Sequence, residues 1–477
     1  MAAAATLALV ATAGAAVTAS PGYAIRNYPT PVPVQGGVVR QGNALFFGQG
    51  PTFTANAQSI VRLDGTRLTT IATGFNSLGG FDIDAAGNLY VVDNCFTGDG
   101  CGSPTTGDTV YKIPNARTRT TATTAGASQL LPSGTFATPQ DVLVIASGVV
   151  LVADAVGPGA GRVVKIVEPS TVTNLVTGLD FLGGLATDGS TLFVDNLDGT
   201  FVGSVKKFVL ATGAPLGTLI GGLSGAYGLA RDEAGNLLVT GGFTNDFSSS
   251  TVEAVNGAGM KTERARGFAF SSDIAFDTAR GQALVLDFAA TQVTAICTDA
   301  SGDGVCDADV AGPAAVNKPK LKLTRQLTPP GDDTLSMKGE MTIPTSPVLD
   351  PVANGVTVIV DDADGRVIVD VVVPGGAYDA VAQVGWKARG TTPSWTYKNR
   401  LGLLGITSIK LKRTAAAPNL VKFAVKGKNG DFSSIGATLP VQGVVALGPA
   451  GQGGVLTFSG PARACTPLGG GSTLNCK

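Results

Sequence analysis

One pattern recurs six times between Gly37 and Asp287: an apolar strand, a tight turn built on glycine, a second apolar strand and then a third. The clearest copy runs from Phe81-Asp82-Ile83-Asp84 through Gly87-Asn88 to Leu89-Tyr90-Val91-Val92-Asp93. Related copies turn at Gly148, Gly189, Gly235 and Gly281 and end at Asp154, Asp195, Val239 and Asp287. A weaker first copy starts at Gly37-Val38-Val39 and turns at Gly42-Asn43. The turn glycines are thus 45, 61, 41, 46 and 46 residues apart, and third strands follow at 110–113, 163–166, 205–208, 252–255 and 293–296. Short strands of period two bury little alone, so units repeated at this spacing must stack on one another. Six such units predict a six-bladed β-propeller, in which radial repetition leaves only short, protected sheet edges.

On this motif, a strand followed by Asp-x-x-Gly-Asn-Leu-x-Val-x-Asp, the chain resembles the NHL-type and SMP-30/gluconolactonase-like six-bladed propellers over residues 30–297. The lactonase branch of that resemblance implies a channel metal held by Glu, Asn and Asp. Its early Glu-Gly-Pro motif has Gln49-Gly50-Pro51 as a counterpart here, an amide standing for the carboxylate. Asn94, Asn196 and Asn245, near the ends of second strands, are ligand or turn residues on this reading.

Composition narrows the chemistry. The 477 residues include no His, which removes Ser-His-Asp and Cys-His catalysis and every imidazole ligand or base. Net charge is −1, so no overall basic field recruits nucleic acid. Residues 313–477 nevertheless carry 18 Lys and Arg against 10 Asp and Glu, while residues 1–312 carry 16 against 25, an asymmetry that marks a domain boundary. It also favours electrostatic contact between the halves or with other chains.

Residues 1–19 are uncharged, largely apolar and end in a small-x-small step before Ser20-Pro21, which reads as a secretory signal, with the first basic residue only at Arg26. No other apolar run approaches the length of a membrane span. The six cysteines form close pairs, Cys95 with Cys101, Cys297 with Cys306 and Cys465 with Cys476. None has zinc or redox spacing, so three local disulfides and a secreted, periplasmic or cell-surface location are expected.

After the last repeat comes an acidic linker, residues 298–318. Asp299, Ser301, Asp303 and Asp307 stand at loop positions 1, 3, 5 and 9, with Gly304 at 6 and the Val305 carbonyl as backbone ligand. That pattern resembles the short calcium loops of thrombospondin type 3 and dockerin-like modules, and it makes Ca²⁺ the expected cofactor. Position 12 is Val310 instead of the bidentate acid, so weak affinity is expected.

The remainder is duplicated. At an offset of 88, Leu321, Lys322, Leu323 and Arg325 meet Ile409, Lys410, Leu411 and Arg413, and Lys338-Gly339 meets Lys426-Gly427. At an offset of 79, Trp386 and Tyr397 meet Cys465 and Cys476, so each unit should end in an equivalent hairpin closed by a cross-strand pair. Runs such as 356–360 and 367–373 have strand composition and no helical period. Two tandem antiparallel, sandwich-like units are expected, at 319–399 and 407–477.

The first strands of the repeats open on Gly37, Asp82, Asp141, Gly184, Gly228 and Asp273. Inner strands line a propeller channel, so Asp82, Asp141 and Asp273 either converge on a cation or accept backbone amides of neighbouring segments. The functional expectation is an exported, non-catalytic propeller that binds a protein, small-molecule or carbohydrate ligand at its channel mouth. A metal-dependent lactonase or hydrolase and a structural, self-assembling surface protein are the alternatives.

Overall fold

A computed structural model describes residues 17–477 apart from 66, 97–98, 103, 201, 242–249, 289, 328, 330, 390–393, 449–451 and 460–463. The chain forms two compact units, one of residues 1–62 and 69–296 and the other of 63–68 and 297–477.

The first unit contains six sheets, one per repeat. Their innermost strands are Val34–Gln41, Leu78–Ile83, Pro139–Ala146, Leu185–Thr187, Leu229–Arg231 and Ser271–Asp277. Each touches the next, and the last touches the first, so the ring is closed. The closure is made by strand exchange between the chain's two ends of the ring: Tyr23–Pro29 adds as the outer strand of the sixth sheet beside Gln292–Thr298. This is a six-bladed β-propeller. Thr18–Ala19, the end of the expected signal, pairs with Arg266 and Ala265 at the edge of blade five, whereas residues 1–16 lie outside the described residues.

Period-two alternation explains how the blades stack. In blade two, Leu89 and Val91 face blade one, packing with Phe46, Ile60 and Ile71. Tyr90 and Val92 face the other way, onto Val142, Val150 and Val152 of blade three. Similar apolar layers join blades three and four, four and five, and five and six. A strand buried on both faces accepts this near-continuous apolar composition.

The second unit is a two-sheet sandwich. Its smaller sheet runs in the order Ala314–Ala315, Gly453–Thr457, Gln442–Ala446, Val356–Asp361 and Val367–Val373. The larger has eight strands, in the order Val384–Arg389, Ser394–Asn399, Ile406–Thr414, Ala417–Gly430, Asp333–Thr342, Asn317–Thr324, Thr473–Cys476 and Cys465–Leu468. Each repeat supplies six strands; in the larger sheet the repeats alternate in pairs of strands, whereas in the smaller one they lie side by side. The closing hairpin of the first repeat pairs with the opening strand of the second (Tyr397 opposite Ile409), and the hairpin of the second pairs with the first (Cys476 opposite Leu321). Trp386 stands directly opposite Tyr397 with ring centroids 5.3 Å apart, and Cys465 stands opposite Cys476 in a disulfide. The other two bridges are Cys95 to Cys101 and Cys297 to Cys306. Among the described residues no helix is long and apolar enough to cross a membrane.

Candidate functional site

Inner propeller strands present one free edge to the axis, and their amides need partners. Carboxylates from the preceding blade supply them. Asp82 Oδ2 accepts from the Val144 amide of blade three at 2.7 Å, and Asp141 Oδ2 accepts from the Leu185 amide of blade four at 2.7 Å. Asp273 Oδ2 accepts from the Val38 amide of blade one at 2.8 Å, across the ring closure. The second oxygens of Asp82 and Asp141 accept from the amides of Ile83 and Val142.

The register corrects one detail expected from the repeats. Asp141 and Asp273 lie opposite residues one step before the end of their second strands (Ala153 and Leu286), whereas Asp82 lies opposite Tyr90, two residues deeper. The three carboxylates therefore sit at two depths. Where the inner position is glycine, the strands close up directly: a Cβ on Gly37 would collide with the Phe81 amide, and one on Gly184 with the Leu229 amide. Burial raises all three acids above the usual carboxylate range. Asp82 is raised to about 6 and Asp273 to about 7, in each case chiefly by loss of solvent, with Asp82 adding repulsion on Asp273. Asp141 is also pushed well up, by desolvation first and the Asp273 charge second.

Tyr227 stands near Asp141 and Asp273 of this cluster. It belongs to the segment entering blade five, yet its hydroxyl donates to Gln140 Oε1 of blade three, while its carbonyl accepts from the Gly184 amide of blade four. Its ring meets Phe270 edge-on at 5.3 Å, and Phe270 in turn lies 6.1 Å from Phe288. All three rings are half-buried. Burial, then Asp141 and Asp273, keep the phenol protonated by raising its pKa. Sequence reading missed this aromatic group; the one available signal was that each ring adjoins the end of a strand, Tyr227 just before Gly228, Phe270 before Ser271 and Phe288 after Asp287.

The acids ending the second strands mostly cap the entering segment. Asp93 accepts from the amides of Asn76 and Ser77, Asp154 from Ala137 and Thr138, and Asp287 from Ala269 and Phe270. Blade four departs from this. There Asn196 caps Asp180, and Asp195, fully buried, has both oxygens without a well-aligned hydrogen-bond partner among the described residues. Its pKa is raised well above the usual range by burial. Asn94 follows the cap of blade two, with its amide donating to the Ser77 carbonyl. Gln49 ends the second strand of blade one with Nε2 3.5 Å from Ser59, and Asn245 lies outside the described residues.

In the linker, Asp299 shapes the loop: its carboxylate accepts from the amides of Gly302, Asp303 and Gly304 and from the Ser301 hydroxyl. Asp303 accepts from Val305, and Asp307 from Ala300. These residues do not fit a closed calcium site. At the twelfth position Val310 is buried with Val305 in an apolar cluster of the sandwich, where a bidentate acid would close such a loop. Among the described residues no three His, Cys, Asp or Glu side chains are grouped to hold a metal ion, which applies equally to Asp82, Asp141 and Asp273.

Six ring-closed blades with carboxylate clamps around the axis place the first unit in the propeller class. No family model and no curated protein matches the chain. Among solved structures it is similar to a gluconolactonase from Xanthomonas campestris, at 16% identity over 59% of this chain and 99% of that one, TM-score 0.37. It is also similar to the WD40 propeller domain of Doa1, at 13% identity over 59% and 98%, TM-score 0.40. A third is an auxiliary nutrient binding protein from Bacteroides thetaiotaomicron, at 9% identity over 59% and 75%, TM-score 0.41. The sheet topology, not these alignments, defines the class.

Proposed function

We propose that this chain is a ligand-binding propeller of an oxidising, extracytoplasmic compartment, taking a small, hydroxyl-rich molecule such as a carbohydrate at the mouth beneath Tyr227. The observation that carries the reading is Tyr227 itself, hydrogen-bonded across blade four to Gln140 and flanked by the rings of Phe270 and Phe288. Half-buried rings offer apolar faces, while a phenol and carboxyls of raised pKa offer donors as well as acceptors. An anionic ligand is disfavoured by the same acids. Three disulfides support the compartment.

A binding role is favoured over hydrolysis because each axial carboxylate is turned to an amide of the next blade and no imidazole base exists in the chain. The test is equilibrium titration of the whole protein with a panel of neutral sugars, followed by tyrosine fluorescence. Tyr227→Phe and Phe270→Ala should each weaken whichever sugar binds while leaving the melting transition in place. Saturable binding that neither substitution alters would place the ligand elsewhere, and turnover of a lactone by the purified protein would reverse the choice of class.

A further inference from the structure

The eight-stranded sheet of the sandwich turns one face to its core and the other to solvent. On the solvent face, strands distant in sequence line up their residues in rows. One row reads Lys322, Ser336, Lys426, Ser408 and Lys398 across five neighbouring strands. Beside it runs a row with Lys320 opposite Lys338, then Ala424, Lys410, Thr396 and Lys387. A third sets Lys422 opposite Lys412. Every one of these lysines is exposed. Glu340, opposite Lys422, is the one acid on these rows, and it is paired at 2.8 Å with Lys318 and at 3.9 Å with Lys422.

Folding alone does not account for such a face. Like charges directly opposite on neighbouring strands, as in Lys320 with Lys338, destabilise a sheet. Exposed positions of a duplicated unit are free to diverge, yet Lys322 and Lys338 match Lys410 and Lys426 in the second repeat, while cysteines stand there in place of the buried Trp386 and Tyr397.

We propose that this face binds an acidic polysaccharide, a glycan bearing carboxylate or sulfate groups, laid across the strands. Strands are about 4.8 Å apart, so the lysines of the first row recur at roughly 9.6 Å, with a serine hydroxyl between each pair. Cations recurring on every second strand with hydroxyls between them match a hydroxyl-rich polymer whose charged groups recur regularly along its length. The spacers also argue against other polyanions. The ring beside these rows, Tyr378, is covered by Lys387 with Nζ 4.0 Å from its centroid, and a single arginine, Arg389, ends the third row beyond Lys412 and Ser394, so lysine mostly replaces the arginine fork that reads phosphate or guanine in pairs. Small hydroxyl residues, in place of apolar or aromatic anchors, give the face nothing to insert into a bilayer interface.

The test uses the full chain, with alginate as a polyuronate probe and dextran as its neutral counterpart, at about 50 mM salt where surface charge is weakly screened. Alginate should bind in a salt-sensitive manner and dextran should not. Replacing Lys322, Lys426 and Lys398 together by Ser should weaken alginate binding roughly 30- to 100-fold, each exposed ion contact being worth up to about fivefold. The triple Arg variant should retain it. If the Ser variant does not fold, Lys410→Ser with Lys387→Ser in the neighbouring row gives the same readout. Absence of alginate binding, binding indifferent to these changes, or tighter binding of duplex DNA or phosphatidylserine vesicles would each overturn the assignment.

Discussion

Replacing Asp273 by Asn fixes this buried group in the neutral state and asks whether the axial carboxyls are held partly protonated by the fold. Asp273 is 8% exposed and accepts the Val38 amide, and its pKa is raised from 3.8 to about 7 by burial, with a contribution from Asp82. The folded state then binds more protons than the unfolded one between those values, so its contribution to stability is fully present below pH about 4 and is lost as pH rises through about 7. Each pH unit crossed between the unfolded and folded values removes about 1.4 kcal/mol, so between roughly pH 5 and 7 Asp273 alone accounts for a loss on the order of 2–3 kcal/mol. Asp82, raised to about 6, adds to the same slope at its acid end. Asparagine keeps an acceptor for the Val38 amide and does not titrate. Urea unfolding of the propeller followed from about pH 5 to 8 should show wild-type stability falling with pH, and D273N falling by about 2–3 kcal/mol less. A wild-type curve that rises across this range, or a D273N curve parallel to wild type, refutes the account.

Four further outcomes rest on separate parts of the fold. Gly184→Ala should destabilise the propeller by at least about 1–3 kcal/mol because its Cβ would strike the Leu229 amide, whereas Gly199→Ala, with nothing within 4 Å, should leave the calorimetric transition unchanged. Asp195→Asn should raise the midpoint at about pH 7 and change it little at about pH 4, since it removes the charge of a buried acid with no well-aligned hydrogen-bond partner among the described residues; equal effects at both pH values would argue against a charge origin. Reducing the Cys465–Cys476 bridge, 11 residues apart, should cost at most about 3 kcal/mol in the sandwich, and hydrogen exchange across 297–309 should be the same in calcium and in chelator.

Whatever depends on local alternation and spacing was already written in the chain. Period-two apolar runs joined by glycine turns at 42, 87, 148, 189, 235 and 281 specify short strands that must stack, and cysteines six to eleven residues apart specify local bridges. The duplication was legible for the same reason, down to Trp386 and Tyr397 standing where Cys465 and Cys476 stand in the other repeat. Partners distant in the chain were settled by packing alone. That Asp141 meets the Leu185 amide rather than a cation depends on how closely blade three approaches blade four. Asp195, equivalent in sequence to the capping acids of other blades, loses its amides because Asn196 takes the cap in that blade. Tyr227 reaches Gln140 across an intervening blade, and the lysine rows assemble from strands of both interleaved repeats. Side-chain alternation is encoded residue by residue, whereas register between distant strands is set by packing of the whole unit, which no local pattern carries.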